Sequence, residues 1–195
     1  METERRNTLL ALPGEGEPFD RHVLACALER ALEEIERSTA PSLNASLGLP
    51  ADLLSELLEH SFPDFSSVAP HIRWDHDPGE GAIEEADLRG LLLENRRHDT
   101  REGLWLAYIV ARRALQPGHL WHSLGLDERT QLSTMLQRHF PTLAEQNTNN
   151  MRWKKFFYRW LCTQEGILIC KSPICGDCPD YRECFILEGP DGDEH

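Results

Sequence analysis

The sequence predicts an all-α protein, a compact helical domain of about six helices followed by a C-terminal cysteine-rich loop. Three observations support this fold class. Apolar residues recur at intervals of three and four along six separate segments of the chain. No segment alternates apolar and polar residues over a useful length, as a half-buried strand would. Five of the six cysteines lie between Cys162 and Cys184, where the last helical pattern ends.

Four regions follow from these patterns. We expect a flexible N-terminal tail over residues 1–18, a helical domain over 19–169, a cysteine loop over 170–185 and an acidic tail over 186–195. A chain of 195 residues can bury a sizeable core without disulfide bonds. The brief apolar patch near the N-terminus does not continue as a signal peptide, and no apolar run approaches the roughly 20 residues of a membrane helix. We therefore expect a cytoplasmic protein that does not span a membrane.

The first two helices are amphipathic. The helix that begins near Phe19 has apolar residues at helical spacing on one side, with most of its charged residues elsewhere. These apolar residues are Phe19, Val23, Ala27, Ala31 and Ile35. Pro50 opens the second helix, which carries a leucine stripe and is stopped by Pro63. Residues 62–81 mix proline, glycine, serine and aspartate without a period and predict the longest loop.

Three helices occupy the middle of the chain. Residues 82–95 predict a third helix with isoleucine and leucine on one side. The fourth, over residues 101–116, is apolar on most of its surface, and we expect it to be the central helix of the core. Pro117 and Gly118 end it, and a fifth helix runs from Asp127 to Phe140.

The sixth helix, over residues 151–162, combines aromatic and basic residues. Trp153, Phe156, Phe157, Trp160 and Leu161 form an apolar stripe. The basic residues Arg152, Lys154, Lys155 and Arg159 lie on the other faces. In a purely structural interpretation, the aromatic residues belong to the core and the basic residues form a solvated surface. As function, Lys154, Lys155 and Arg159, together with Lys171, would offset the charge of a thiolate-bound metal or attract an oxyanion such as molybdate or phosphate.

The net charge of −13 is unevenly distributed. Residues 1–150 hold 14 arginines against 25 acidic residues, whereas residues 151–184 hold six basic residues against four acidic ones. Affinity for nucleic acid depends mainly on neutralising phosphates, so an acidic body argues against a nucleic-acid partner. No nucleophile-elbow, P-loop, dinucleotide-binding or zinc-protease motif is present either. We therefore expect a protein without catalytic turnover of its own.

The last four cysteines have a spacing that suits a metal. Cys170, Cys175, Cys178 and Cys184 form the series C-x4-C-x2-C-x5-C within one turn-rich loop. Structural zinc sites more often use two separated C-x2-C pairs, whereas iron–sulfur clusters are held by four cysteines at less regular spacings. The series therefore favours an iron–sulfur-type cluster over zinc, and both over free thiols or disulfides. Clustered thiols also fit a reducing cytoplasm.

Other candidate ligands are weaker. Cys162 stands eight residues before the loop and is a packing residue or a further ligand. Cys26 lies among alanine and leucine and is most simply a small core residue. His119 and His122 are three residues apart and could reach one metal, although such residues are more often satisfied polar groups at a helix junction.

The stretch from Met151 to Phe185, with its aromatic-basic helix and its cysteine series, resembles the nitrogen fixation protein NifQ family. The resemblance extends back through three earlier blocks and covers roughly residues 85–185. These blocks are HFPTLAEQNTNN, GHLWHSLGL and WLAYIVARRAL. The chain departs from the family pattern at Ser123, Trp160 and Ile186, which flank the ligand set and leave it intact.

The resemblance implies a molybdenum–iron–sulfur protein that acts in biosynthesis of the nitrogenase iron–molybdenum cofactor. It assigns Cys170, Cys175, Cys178 and Cys184 as ligands of an iron–sulfur cluster of the three-iron type that takes up molybdenum. The implied partners are the nitrogenase iron protein and the cofactor scaffold complex, with molybdate or another molybdenum donor as the source.

Two alternatives from other functional classes stay open at the level of sequence. DNA-repair glycosylases also carry a C-terminal four-cysteine loop, with a C-x6-C-x2-C-x5-C spacing, but the net charge and the first gap of this chain argue against that class. A zinc-stabilised interaction module would use the same four thiols without iron.

Overall fold

The all-α prediction is confirmed by a computed structural model that describes residues 2–79 and 81–165. Every regular element of that part is a helix, and the chain divides into two compact units, residues 1–144 and 145–195. The described part of unit 1 contains ten helices: α1 (Glu2–Ala11), α2 (Pro18–Glu36), α3 (Leu43–Leu47), α4 (Ala51–Ser61), α5 (Phe65–Val68), α6 (Ile83–Asn95), α7 (Glu102–Ala114), α8 (Leu120–Ser123), α9 (Arg129–His139) and α10 (Pro141–Ala144). The described part of unit 2 contains α11 (Trp153–Glu165).

All six predicted helices are present, as α2, α4, α6, α7, α9 and α11. The structure adds five helices within the described residues, and four of these have only four or five residues. An apolar period cannot be recognised in so short a segment. The α3 helix shows how such an element is fixed: Ser42 Oγ accepts a hydrogen bond from the Ala45 amide, and Gly48 ends the helix in the left-handed region.

Helix α7 is the centre of unit 1, as the sequence predicts. It packs against α3, α4, α6, α8 and α9. Most of its apolar residues are buried, and Trp105, Leu106 and Val110 are completely so. The same helix buries Arg113, whose guanidinium bonds Glu34 Oε1 at 2.5 Å and Ser46 Oγ at 2.7 Å. The apolar core is therefore crossed by an ion pair that ties α2 and α3 to α7.

Part of the N-terminal segment that the sequence predicts as a flexible tail over residues 1–18 forms helix α1. This helix packs along α2 and buries Leu9 completely. Arg6 donates its backbone amide and its Nε to the two carboxylate oxygens of Glu29, at 3.1 and 2.9 Å. Few apolar residues stand in this segment, so the sequence does not show that an ion pair fixes it. The predicted boundaries at residues 169 and 185 lie outside the described residues.

Helix α2 is more deeply buried than its pattern indicates. Its predicted polar side includes Glu29 and Glu33, yet both are buried because α1, α3 and α9 all pack against this helix. Asp20 near its start is also buried and contacts His139 Nε2 at 2.9 Å and Arg138 Nε at 3.1 Å. Asp20 and Glu29 each pair with an arginine of another helix, whereas Glu33 pairs with Arg30 of its own helix.

The irregular segment between α4 and α6 is tied to the core at several points. Phe65 of α5 is buried and meets the Trp74 ring edge-on, with centroids 5.7 Å apart. Arg112 of α7 bonds Glu85 Oε2 at 2.8 Å and also donates to the carbonyls of Ala45 and Pro78. No helix in the described part is long and apolar enough to cross a membrane.

Candidate functional site

Helix α11 is the described element nearest in sequence to the predicted cysteine ligands. Four of its aromatic residues form one cluster of edge-on and tilted rings, which we call the aromatic stack. The Phe156 ring lies 5.7 Å from Trp153, 6.0 Å from Phe157 and 5.9 Å from Trp160, measured between centroids. Trp153, Phe156 and Phe157 are buried. The predicted apolar stripe is therefore confirmed, and it gives the helix a rigid aromatic side.

The basic residues of α11 lie off this stack. Arg159 is exposed, whereas Lys154 and Lys155 are half-buried. Burial lowers the pKa of Lys154 from its ordinary value, because removal from water disfavours the ammonium form. An anion beside that amine would raise the pKa again, because it favours the charged form. Of the four basic residues predicted to lie off the apolar stripe, Arg152, Lys154 and Lys155 are therefore partly removed from water and Arg159 is exposed.

A polar turn leads into α11. Asn147 makes two hydrogen bonds to Met151: its amide Nδ2 donates to the Met151 carbonyl at 2.9 Å, and its Oδ1 accepts from the Met151 amide at 2.8 Å. Asn150 takes a positive φ of 49° inside this turn, a conformation that asparagine tolerates better than most residues. The turn is therefore closed by the two Asn147 side-chain bonds together with one backbone bond, from the Asn150 amide to the Asn147 carbonyl at 3.3 Å.

The turn and the helix enclose a cavity of about 320 Å³, which we call the α11 pocket. Its floor is apolar and its rim carries amides, hydroxyls and one guanidinium. The residues that line it are Gln146, Asn147, Thr148, Asn149, Met151, Phe156, Arg159, Trp160 and Thr163. None of these described lining residues carries a carboxylate, although acidic residues outnumber basic ones by 33 to 20 in the chain. The sequence identifies Arg159 as a candidate but gives no sign of the cavity, because the Asn147 turn builds one of its walls.

The four predicted ligands Cys170, Cys175, Cys178 and Cys184 lie outside the described residues, as does Lys171. Cys162 falls in the last two turns of α11, where the backbone is described but its side chain is not. Helix α11 ends at Glu165, five residues before Cys170. The ligand set therefore stays a prediction. Four thiols within 15 residues remain a donor set that suits iron and other soft metals.

The two histidines at α8, His119 just before the helix and His122 within it, both lie near Trp121. The His119 and His122 rings lie 6.5 and 4.7 Å from the Trp121 ring, between centroids. Within residues 2–79 and 81–165, no group of three or more His, Cys, Asp or Glu side chains is arranged to hold a metal ion. A metal site built on this pair would thus lack a third His, Cys, Asp or Glu ligand from the described part of the chain.

Cys26 is buried on α2, as predicted for a small core residue. Burial raises the pKa of its thiol to about 12, so the group is neutral at physiological pH. Its Sγ lies 3.5 Å from His22 Nε2, and it borders a separate cavity of about 360 Å³ in unit 1 with Arg6, His122 and Asp127. A neutral, enclosed thiol is a poor nucleophile.

Comparison with known proteins gives consistent results. The family profile described as NifQ matches residues 23–186. The chain is 47% identical over 174 residues to a protein named Protein NifQ homolog from Sinorhizobium fredii, covering 86% of this chain and 72% of that protein. It is 44% identical over 164 residues to Protein NifQ of Azotobacter vinelandii, covering 82% and 76%. For Protein NifQ of Rhodobacter capsulatus the identity is 37% over 177 residues, covering 88% and 93%. No solved structure matches this chain significantly.

Proposed function

This chain belongs to the NifQ family of nitrogen fixation proteins, and we propose that it is a molybdenum–iron–sulfur carrier. In this proposal it supplies molybdenum for assembly of the nitrogenase iron–molybdenum cofactor. It acts in the cytoplasm as a carrier without catalytic turnover of its own. Its partners are the nitrogenase iron protein and the cofactor scaffold complex, and its source of metal is molybdate or another molybdenum donor.

The observation that carries the proposal is the cysteine series inside the matched span. Cys170, Cys175, Cys178 and Cys184 all fall within residues 23–186. Thiolates are the ligands that iron–sulfur clusters use, and molybdenum binds sulfur well. Three of the thiolates would hold iron. The fourth would contact molybdenum or leave it exposed, because a carrier must bind its cargo weakly enough to release it.

Helix α11 supports such a centre through its two sides. The buried aromatic stack fixes the helix that leads to the cysteines. Lys154, Lys155 and Arg159 would offset the strongly negative charge of a centre held by four thiolates, if the loop that follows α11 brings that centre near them. Charge compensation of this kind tunes both the stability of a cluster and its attraction for an incoming oxyanion.

Family membership favours the carrier over the two alternatives drawn from the sequence. A DNA-repair glycosylase would need a surface that neutralises phosphates, which a net charge of −13 opposes. A zinc-stabilised module would contain stoichiometric zinc and no iron.

Anaerobic purification tests the proposal directly. Iron, molybdenum and zinc are measured on the full chain, with electron paramagnetic resonance for the cluster. Serine is then introduced singly at Cys170, Cys175, Cys178 and Cys184. The matched control is Cys26→Ser, which changes a buried thiol of unit 1.

We expect iron in the parent protein, loss of iron in at least three of the four loop variants and full retention in Cys26→Ser. Protein that contains zinc in place of iron would overturn the carrier proposal. Equal loss of iron and molybdenum in all four variants would contradict the division of roles among the cysteines.

A further inference from the structure

Arg6 of α1 occupies a position in unit 1 where several oxygen atoms meet. Its Nη1 donates to Asp127 Oδ1 at 2.6 Å, its Nε to Glu29 Oε2 at 2.9 Å and its Nη2 to the Gly125 carbonyl at 3.1 Å. The two carboxylates belong to different segments, Glu29 to α2 and Asp127 to the link between α8 and α9. The guanidinium therefore lies among oxygen ligands that a metal cation also uses.

A thiol and an imidazole lie beside these oxygens. His22 and Cys26 are four residues apart on α2, and Glu29 follows three residues later, so all three share one side of the helix. His22 Nε2 lies 3.5 Å from Cys26 Sγ and 3.5 Å from Asp127 Oδ2. In a tetrahedral zinc site with bonds of about 2.0–2.3 Å, neighbouring ligand atoms are about 3.3–3.6 Å apart. The two measured separations therefore match those between ligands of one metal ion.

The docked guanidinium opposes metal binding. With Arg6 in this position, no three His, Cys, Asp or Glu side chains of the described part of the chain are arranged to hold a metal ion. A guanidinium bound to both carboxylates also repels an incoming cation. Withdrawal of Arg6 leaves Glu29, whose side chain is only 4% exposed, and Asp127 without this cation. A divalent ion can then replace the guanidinium and compensate both carboxylates.

One buried apolar side chain anchors α1 beside these groups. Among residues 4–11, whose side chains the structure describes, Leu9 alone is buried. The buried ion pair of Arg6 contributes less to stability than its geometry suggests, because both charges lose their hydration. Local opening of a weakly anchored segment costs less than global unfolding. The undocking of α1 is therefore an accessible motion that leaves the rest of unit 1 folded.

We propose that an imidazole, a thiol and two carboxylates of unit 1 form a metal site of their own, for Zn²⁺ or Fe²⁺, which opens when α1 undocks and withdraws Arg6. Sulfur, nitrogen and oxygen ligands together suit these ions better than Mg²⁺ or Ca²⁺. Three of the ligands line the cavity of about 360 Å³ in unit 1, which has room for the ion and bound waters. The thiol gives its proton to the solvent as it binds. The ligands are His22, Cys26, Glu29 and Asp127.

Titration of the full chain with Co²⁺ tests this site, because cobalt bound to a thiolate gives a charge-transfer absorption in the near ultraviolet. A background variant has serine at the five cysteines other than Cys26, which leaves a single thiol. In this background Arg6→Gln withdraws the guanidinium. Arg5→Gln is the matched control, because it removes the same charge from the same helix at a surface pair. Leu9→Ser undocks α1 by a second route that keeps Arg6.

We expect Arg6→Gln to bind one Co²⁺ with the thiolate absorption, at least about a hundredfold more tightly than the background, because apparent affinity rises with the open fraction. Leu9→Ser should act in the same direction, and Arg5→Gln should change the affinity less than about fivefold. His22→Gln or Asp127→Asn, added to Arg6→Gln, should weaken binding at least about tenfold, as loss of a ligand implies. Zn²⁺ should displace the cobalt and abolish the absorption.

Three outcomes would overturn the site. The first is absence of the thiolate absorption in both Arg6→Gln and Leu9→Ser while circular dichroism shows that the helices are intact. The second is equal binding by the Arg6 and Arg5 variants, since only net charge would then matter. The third is binding that His22→Gln and Asp127→Asn leave unchanged. If an undocking variant does not fold, the background at saturating Co²⁺ decides, because the metal selects the open state and absence of the absorption there would overturn the site.

This test is separate from that of the carrier proposal, because the background contains none of the loop cysteines. Metal bound by Arg6→Gln in the background supports the site whether or not the loop of the parent protein holds iron. With Arg6 docked the site is closed, so Cys26→Ser in the otherwise unchanged chain should leave the iron content of the protein as it is.

Discussion

Gly125 illustrates how a single residue sets the approach of two segments. It takes a φ of 73° in the link between α8 and α9, and a Cβ at this position would lie 2.7 Å from the Cys26 carbonyl oxygen of α2. Both the left-handed backbone and the close contact require glycine. The link therefore packs directly on the backbone of α2, at the edge of the cavity that Cys26 borders.

Replacement of this glycine should destabilise unit 1. We expect Gly125→Ala to lower the free energy of unfolding by about 2 kcal/mol or more, from strain at positive φ and the clash with the Cys26 carbonyl. Gly90→Ala is the control: Gly90 lies within α6, and nothing stands within 4 Å of its Cβ position. That change should raise stability by about 0.5–1 kcal/mol. Urea unfolding measures both, and equal effects of the two changes would refute the assignment.

The Cys26 thiol predicts a pH dependence on the alkaline side. Its pKa in the folded protein is about 12 against an ordinary value of 9.0, because burial disfavours the thiolate. A pKa raised by folding means that the folded state keeps its proton while the unfolded state loses it. Stability from this group is fully present below pH 9 and falls as the pH rises toward 12, by about 1.4 kcal/mol per pH unit.

Cys26→Ala removes that dependence. The difference in free energy of unfolding between the parent and this variant should be constant from pH 7 to 9 and should then shift in favour of the variant. Urea unfolding with a reductant at pH 7, 9, 10 and 11 gives the difference. A difference that stays constant up to pH 11 would show that the thiol is not buried as described.

At the scale of elements, α1 is fixed by polar rather than apolar contacts. Arg6 is 11% exposed in its side chain and Glu29 only 4%, and the guanidinium also bonds Asp127 Oδ1 at 2.6 Å and the Gly125 carbonyl at 3.1 Å. One arginine thus joins α1, α2 and the link before α9. Its neighbour Arg5 pairs with Glu36 at 2.6 Å, but on the surface, with side chains 31% and 50% exposed.

Replacement of Arg6 should destabilise the protein more than replacement of Arg5, because only Arg6 forms a buried ion pair. We expect Arg6→Gln to lower the free energy of unfolding by about 3 kcal/mol, because it leaves the buried Glu29 carboxylate without its charged partner. Arg5→Gln removes the same charge from the same helix and should cost less than about 1 kcal/mol. Chemical denaturation of both variants makes the comparison. Comparable small losses would mean that α1 is not docked and that the flexible tail expected from the sequence is right.

For the whole molecule, the net charge of −13 governs which partners can approach. Only three lysines are present, and two of these lie on α11. The chain as a whole has 20 basic residues against 33 acidic ones, so its cationic groups are outnumbered. Such a distribution suits a small anion better than an extended polyanion, which must contact many cations at once.

Binding to DNA tests this distribution. We expect no binding of a labelled duplex at 50 mM salt up to about 10 μM protein, measured by fluorescence anisotropy, because too few phosphates would be neutralised. Binding with a dissociation constant below 1 μM and a steep salt dependence would favour the glycosylase alternative. The Arg159→Gln variant serves as a control, since binding through the α11 cations would weaken in it.

The sequence by itself determined the fold class, the six longer helices and the aromatic side of α11. These features depend on local periodicity, which is a property of the sequence and does not require contacts between distant segments. The residues Lys154, Lys155 and Arg159 were also identified from their spacing off the aromatic stripe. The four cysteines of the loop were identified by number and spacing, and their roles stay predictions.

Only the tertiary structure decided which polar residues are buried and where cavities form. The pattern of α2 predicts that Glu29 lies on the surface. In the structure Glu29 is buried, because Arg6 of helix α1 covers it and pairs with its carboxylate. The α11 pocket likewise depends on the two bonds from Asn147 to Met151, which fold the turn against the helix. Burial and concavity arise from contacts between segments, so no local pattern encodes them.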